Sequence, residues 1–294
     1  MAIARPAGTA HRHRLGICPV ALRETALVLA LLFAYTRIRL VASDDRPVAE
    51  GHARDVLSVE RWLHVDVEAT VNRALGALPP LEVVASYWYA ALHYTVTPVV
   101  LVLLYRSRPV EYRRLRAALV LATAVALIGY VAYPTAPPRL VAGYTDTLAA
   151  TSAVGWWGAE GSAVRGAGGA VNQFAAMPSM HVGWALWCSL VLWRLARTRA
   201  QRVLAAAYAP VTALVVVSTA NHWVLDVLLG ALLMALAWAV VQLPWRHHTA
   251  PAVPGVRAVV PAPRSGSTPL PPVEVTGGSG VADVSSAGRP AGPR

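Results

Sequence analysis

The chain has no lysine: all 26 of its basic residues are arginine, set against 15 aspartates and glutamates. Charge of either sign is scarce, at 14% of 294 residues, while 56% are hydrophobic. That excludes an ordinary soluble domain, in which about a quarter of residues are charged. The two cysteines, Cys18 and Cys188, are too few and too far apart for a disulfide framework or a cysteine-rich metal site. The net charge of +11 would suit nucleic acid in a soluble protein. Here the arginines stand in short segments between apolar runs, the distribution that orients a membrane protein, so no nucleic-acid partner is expected. Carboxylates are scarcest of all in the second half. Between Gly161 and Val273 there is one, Asp226.

What is present is a series of apolar runs approaching the roughly 20 residues that cross a bilayer as a helix. Six spans are expected, at 22–42, 86–105, 115–134, 181–193, 203–220 and 222–243; Arg37 and Arg39 interrupt the first near its far end, and a cleaved signal peptide ending near "VAS", 41–43, is the competing reading of that segment. The connection "RSRPVEYRRLR", 106–116, carries five arginines and one glutamate, and "RLARTRAQR", 194–202, carries four arginines and no acid. Both therefore belong on the cytoplasmic side. Six spans then place both termini there, and the connections 43–85 and 135–180 outside. The first of these holds eight acids against four arginines. The expected architecture is all-α: a multi-pass cell-membrane protein with a six-helix transmembrane bundle over 22–245. It would be flanked by a cytoplasmic tail, 1–21, and a Pro-, Gly- and Ala-rich disordered cytoplasmic tail, 246–294. Within the outer 43–85 segment, "SVERWLHVDVEATVNRAL" sets Val59, Trp62, Leu63, Val67 and Val71 on one side of an amphipathic helix suited to lie on the membrane, with His64 and Asp66 solvated.

An acid inside a membrane helix is costly and marks a candidate site. Asp226 is that acid, and His222, four residues earlier, is expected on the same helical face. A carboxylate there can hold one imidazole nitrogen and leave the other as nucleophile or base; a buried pair that merely bridges helices is the plainer alternative. In "AAMPSMHVGWALW" Ser179 is placed to cap a helix whose first turn holds His181, and helix N-termini accept phosphate readily. "YPTAPPRL", 133–140, brings Arg139 to the same membrane face, either as a bidentate phosphate ligand or as an interfacial anchor. Arg165, in the Gly-rich "EGSAVRGAGGAVNQF", is a further phosphate-binding candidate in a loop that would serve equally as a lid. Asn221 is either a donor to phosphate or a helix cap. His93, among Tyr87, Trp88, Tyr89 and Tyr94, either lines a substrate path or packs between helices.

Loop counting gathers Arg139, His181, His222 and Asp226 at one outer face. A cationic clamp, two histidines and an orienting acid suit phosphoryl transfer through a histidine nucleophile, with His222 attacking, Asp226 holding its ring and His181 exchanging the proton. The expected partner is a lipid phosphate or phospholipid, and no cofactor or metal is expected. Two other classes stay open: a metal-dependent enzyme using His181, His222 and Asp226 as a 2-His-1-carboxylate site, and a proton-coupled transporter relaying protons through the His–Asp pair.

The "PSMH" of 178–181 and the "HWVLD" of 222–226 resemble the two histidine motifs of the type 2 phosphatidic acid phosphatase superfamily. Together with "YPTAPPRL" they resemble more narrowly its inositol phosphorylceramide synthase branch, over roughly 85–243. The resemblance implies a six-helix bundle with an extracytoplasmic site. It also implies His222 as nucleophile, Asp226 as its partner and His181 as the acid. The chain departs from the phosphatase form at Met180, where that form has Gly, and at Val215 and Val216, where it has a Ser-Arg pair.

Overall fold

The structure is a computed structural model of the chain and describes residues 22–26, 29, 30, 33, 45–157 and 173–243. Most of the expected first span, both expected tails and Arg165 lie outside the described residues. Within them the secondary structure is helical, apart from isolated bridge residues that include the parallel pair Thr135 and Ala175. Along the chain run α1 (Arg46–Leu63), α2 (Glu68–Gly76), α3 (Pro79–Ser107), α4 (Pro109–Ala132), a 3-10 turn (Pro138–Leu140), α5 (Thr147–Ala150), α6 (Met180–Leu195), α7 (Arg199–Ser218) and α8 (Val224–Gln242).

Local chemistry sets the helix starts. Proline stands in the first turn of α1, α3 and α4, where a missing N–H costs nothing. Asp45 accepts the Val48 N–H at the start of α1, and Thr198 with Gln201 forms a capping box on α7.

Four helices, α3, α4, α7 and α8, are long and apolar enough to cross a membrane. These correspond to the expected spans at 86–105, 115–134, 203–220 and 222–243. The helix of the expected 181–193 span, α6, has 16 residues. At 1.5 Å per residue it is about 24 Å long, short of a hydrocarbon core of about 30 Å. It is the enclosed helix of the bundle: Val182, Gly183, Trp184, Ala185, Trp187, Cys188 and Val191 are all buried. It packs into one core cluster with Leu104, Leu115, Ala122, Ala126 and Met234 of α3, α4 and α8. The Trp187 indole donates to the Leu115 carbonyl at 2.8 Å, so the apolar contact is also polar-satisfied. The chain is thus an all-helical membrane-type protein.

Two glycines let α6 and α8 meet backbone to backbone. A Cβ built on Gly230 would stand 2.1 Å from the Ser179 carbonyl oxygen, and one on Gly183 would stand 3.2 Å from the Gly230 oxygen. This crossing lies at the N-terminal ends of both helices, where the histidine motifs are.

The amphipathic stretch of 58–75 is broken into α1 and α2 at His64, whose φ of 59° ends α1 in the left-handed region. Val59, Trp62, Leu63 and Val67 are exposed, as a membrane-lying face requires, and His64 and Asp66 are exposed too. The other side of α1, Ala49, Ala53, Val56 and Glu60, is fully enclosed. A carboxylate on a stripe of small apolar residues points to a specific partner.

Candidate active site

The turn between α7 and α8 places the first histidine. α7 ends in a Schellman arrangement: Ala220 N–H bonds to the Val217 carbonyl, and Asn221 N–H to the Val216 carbonyl. Ala220 holds φ 56°, a left-handed conformation usually taken by glycine. His222 follows in the turn, and Trp223 is the N-cap residue of α8. His222 and Asp226 are therefore not on one face of one helix, as their spacing suggests. His222 precedes α8, and Asp226 stands at its third position.

Asp226 reaches back with Oδ2 to the Trp223 N–H at 2.9 Å, and the same oxygen lies 3.4 Å from His222 Nδ1. The next two free amides of α8 are taken by acids from the outer helices. Val224 N–H donates to Glu68 Oε1 at 2.9 Å, and Leu225 N–H to Glu60 Oε1 at 2.7 Å. Three acidic side chains thus satisfy three of the orphan amides at the positive end of α8. Burial, then the neighbouring Glu68 and Asp226 charges, push the Glu60 carboxyl up to about 9, against the pull of its bond to the Leu225 N–H.

His222 is 3% exposed, and both of its ring nitrogens have neighbours. Nδ1 is 3.0 Å from the Ala176 carbonyl oxygen, which can only accept, so this nitrogen carries the proton. In the neutral ring Nε2 is then the free acceptor, and it lies 3.3 Å from His181 Nδ1. The Ala176 carbonyl is delivered by an extended segment that pairs with the "YPTAP" stretch: Thr135 N–H donates to the Phe174 carbonyl at 2.7 Å, and Ala176 N–H to the Thr135 carbonyl at 3.4 Å.

His181 lies in the first turn of α6, with Tyr89 stacked on it at 4.4 Å between ring centroids and His93 edge-on at 4.2 Å, both from α3. His93 thus joins the histidine cluster as well as packing between helices. Ser179 is the N-cap residue of α6 by position, but its side chain caps nothing. Its Oγ is buried with no hydrogen-bond partner among the described residues, and the same holds for Asp226 Oδ1.

Arg139 is brought to the same turn. Its backbone N–H donates to the Ala220 carbonyl at 2.8 Å, Nε donates to Asn221 Oδ1 at 3.0 Å, and Nη1 lies 3.6 Å from Asp146. Asn221 is not the N-cap of α8; its amide nitrogen bonds within the turn to Thr219, and its oxygen holds Arg139. His181 and Asp226 face opposite nitrogens of the His222 ring, so the three do not converge on a common point. Among the described residues no group of three His, Cys, Asp or Glu is arranged to hold a metal.

Sequence reasoning missed Glu60, Glu68, Asp146, the Ala176 carbonyl and the stacking role of Tyr89. Glu60 had a readable signal, since Ala49, Ala53, Val56 and Glu60 recur at helical spacing as one buried stripe. The carbonyl had none, because a backbone acceptor leaves no residue-type trace.

A family model described as the PAP2 superfamily matches residues 54–240. No curated protein and no solved structure shows a significant match to the chain. The matched stretch runs from α1 through nearly all of α8 and contains every described residue of the histidine site.

Proposed function

The chain belongs to the PAP2 superfamily, which makes it a phosphatase-type membrane enzyme, and from that premise we propose that it cleaves a lipid phosphoester through a phosphohistidine at His222. The observation that carries this is the division of the His222 ring. Nδ1 is held by the Ala176 carbonyl and Asp226, while Nε2 faces a second histidine and, in the neutral ring, carries the free lone pair. An imidazole fixed in that tautomer is a ready nucleophile.

In the proposed reaction a phosphoryl group displaces the direct His222–His181 hydrogen bond. The Nε2 lone pair attacks phosphorus, and the P–O bond to the leaving alcohol breaks with a proton supplied by His181. His181 then takes a proton from water or from an acceptor hydroxyl, whose oxygen attacks phosphorus and releases His222. The positive ring that forms on His222 is stabilised through Nδ1 by the Asp226 carboxylate.

Of the two helix N-termini at the site, only one is available for the phosphate. That of α8 is filled by Asp226, Glu68 and Glu60. The α6 end has the partnerless Ser179 hydroxyl, and its helical ladder begins only at the Gly183 N–H. The phosphate oxygens are assigned to this end, with Ser179 Oγ as a donor. Arg139 supplies positive charge beside the turn while bracing it through Asn221. Arg165 completes the proposed cationic set.

The site is proposed to face the extracytoplasmic side of a six-span bundle with both termini inside. Support comes from the arginine-rich connections 106–116 and 194–202, which join α3 to α4 and α6 to α7 at the ends of those helices remote from His222. The acceptor is proposed to be a polyol hydroxyl such as inositol, on the resemblance to inositolphosphotransferases.

The test is turnover of a panel of lipid phosphoesters by the purified chain, with and without inositol, scoring free phosphate against new phospholipid. The wild type should form an acid-labile, alkali-stable phosphoprotein that His222→Ala cannot form. Full activity of His222→Ala on every substrate would sink the nucleophile assignment. Free phosphate without any new phospholipid would restrict the activity to hydrolysis.

A further inference from the structure

The other end of the bundle carries a second feature, which involves none of the site residues. A cavity of about 740 Å³ opens between α3, α6 and α7. Its lining changes character along all three helices in the same sense. On α3, Leu92, Val96 and Leu103 give way to Ser107, with Arg108 just beyond the helix end. On α6, Leu192 precedes Arg194, and Arg197 follows the helix end. On α7, which runs the opposite way, Gln201 comes first and Leu204, Ala205 and Tyr208 follow. Three helices therefore agree on one polar rim and one apolar floor.

The rim is at the membrane surface by chain geometry, because Arg108 joins two helices that are each long enough to span, α3 and α4. The rise from Ser107 down to Leu92 is about 22 Å at 1.5 Å per residue. One leaflet is about 15 Å of hydrocarbon. The groove is long enough to take one acyl chain along its whole depth.

The charge on the rim is one-sided. Arg108 and Arg194 share a single acid, Glu111, at 3.4 and 3.9 Å. These three residues also line a smaller adjoining cavity of about 190 Å³. Among the described residues the Arg197 guanidinium has no hydrogen-bond or ion-pair partner, and it is exposed. Counting whole connections, 106–116 has five arginines to one glutamate and 194–202 has four with no acid. A zwitterionic headgroup would bring its cation into this positive field; an anionic headgroup would complete it.

We propose that this groove binds an anionic phospholipid, its headgroup phosphate on Arg108 and Arg197 and one acyl chain laid along Leu103, Leu192 and Leu204. The site is about 20 Å from His181, by the length of α6 between His181 and Arg194. It is separate from the proposed catalytic face and requires no assumption about catalysis.

The experiment is native mass spectrometry of the full chain, with phosphatidylglycerol and phosphatidylcholine of matched acyl chains offered in equal amounts. The wild type should retain phosphatidylglycerol preferentially. The Arg108→Gln/Arg197→Gln double variant should lose roughly 30-fold of that preference, the share of two basic residues at an anionic surface. It should melt like the wild type without lipid and keep wild-type turnover. Should the double variant fail to fold, Arg108→Lys/Arg197→Lys tests the same charge, and it should keep the preference. Leu204→Trp, at a position 71% exposed, should weaken retention by filling the groove rather than by changing charge. Equal retention of the two lipids by the wild type would overturn the proposal. So would undiminished phosphatidylglycerol on the glutamine variant, which would place that lipid elsewhere, including at the catalytic face.

Discussion

Adding one methyl group at Gly230 tests whether the α6–α8 crossing sets the geometry of the histidine pair. The new Cβ would lie 2.1 Å from the Ser179 oxygen, 2.8 Å from its carbonyl carbon and 3.2 Å from its nitrogen, all backbone atoms that cannot swing away. Ordinary contact starts at 3.4 Å, so the two backbones must part by roughly 1 Å. Ser179 is tied at that point, its N–H donating to the Asp226 carbonyl at 2.9 Å. The displacement therefore passes to His181, two residues on, and opens its 3.3 Å approach to His222. A misplacement of about 1 Å in a reacting constellation lowers rate on the order of 100-fold, and overpacking of this kind costs about 1–3 kcal/mol of stability. Gly183→Ala is the matched control. Its Cβ would meet the Gly230 oxygen at 3.2 Å and the flexible end of Met180 at 3.2 Å, a few tenths of an ångström from ordinary contact. The assay is phosphate release from the best lipid substrate, with the melting temperature in detergent recorded for each variant. Gly230→Ala should fall far below Gly183→Ala in both. Wild-type rate and melting temperature for Gly230→Ala would refute the claim that this crossing positions the site.

Two further substitutions probe the turn and the outer helices. The Glu60 carboxyl is raised from its ordinary 4.5 to about 9, so between those values the folded state holds a proton that the unfolded state has released, and stability should fall as pH rises through that window. Glu60→Gln keeps an oxygen for the Leu225 N–H and removes the titration; its melting temperature should vary less between pH 5 and 9 than that of the wild type, and an unchanged slope would contradict the assignment. Ala220→Gly relieves a left-handed alanine at φ 56°; its gain of up to about 1 kcal/mol, offset in part by the greater freedom of the unfolded glycine, should appear as an equal or higher melting temperature with activity retained, and a clear drop would show that the Ala220 methyl is packed rather than strained.

The readable and unreadable parts of the sequence divide along physical lines. Apolar run length and arginine placement are properties of single segments, and the four long spans follow from them directly. The fourth expected run was legible as a helix, yet its 16 residues serve as the enclosed centre of the bundle, a role that depends on what surrounds it. The end of α7 was hidden because the position that calls for glycine holds Ala220. With no glycine to mark a stop, the spacing of His222 and Asp226 reads as one helical face, although a turn separates them. The histidines and Asp226 were legible because they break the chemistry of their surroundings, as polar groups in apolar runs. Glu68 was not, since it sits in a segment already rich in acids and only the fold distinguishes it from its solvated neighbours; Glu60 was legible only through its place on the Ala49, Ala53 and Val56 stripe.

That distinction bears on how the site works. A helix N-terminus attracts phosphate only while its amides are free, and the site contains two such ends, at Met180 and Val224. Asp226, Glu68 and Glu60 occupy one of them, and the proposed reaction accordingly assigns the phosphate to the other, at α6 next to His181. Helices α1 and α2 supply two of the three caps, Glu60 and Glu68, and in the proposed reaction those caps bear on which side of His222 the phosphate occupies. The same caps fix the first turn of α8, and with it the Asp226 carboxylate that orients the ring. On the proposed function the α1–α2 segment is part of the active-site framework, and the exposed apolar face of Val59, Trp62 and Leu63 would set that framework against the membrane surface from which a lipid phosphate arrives.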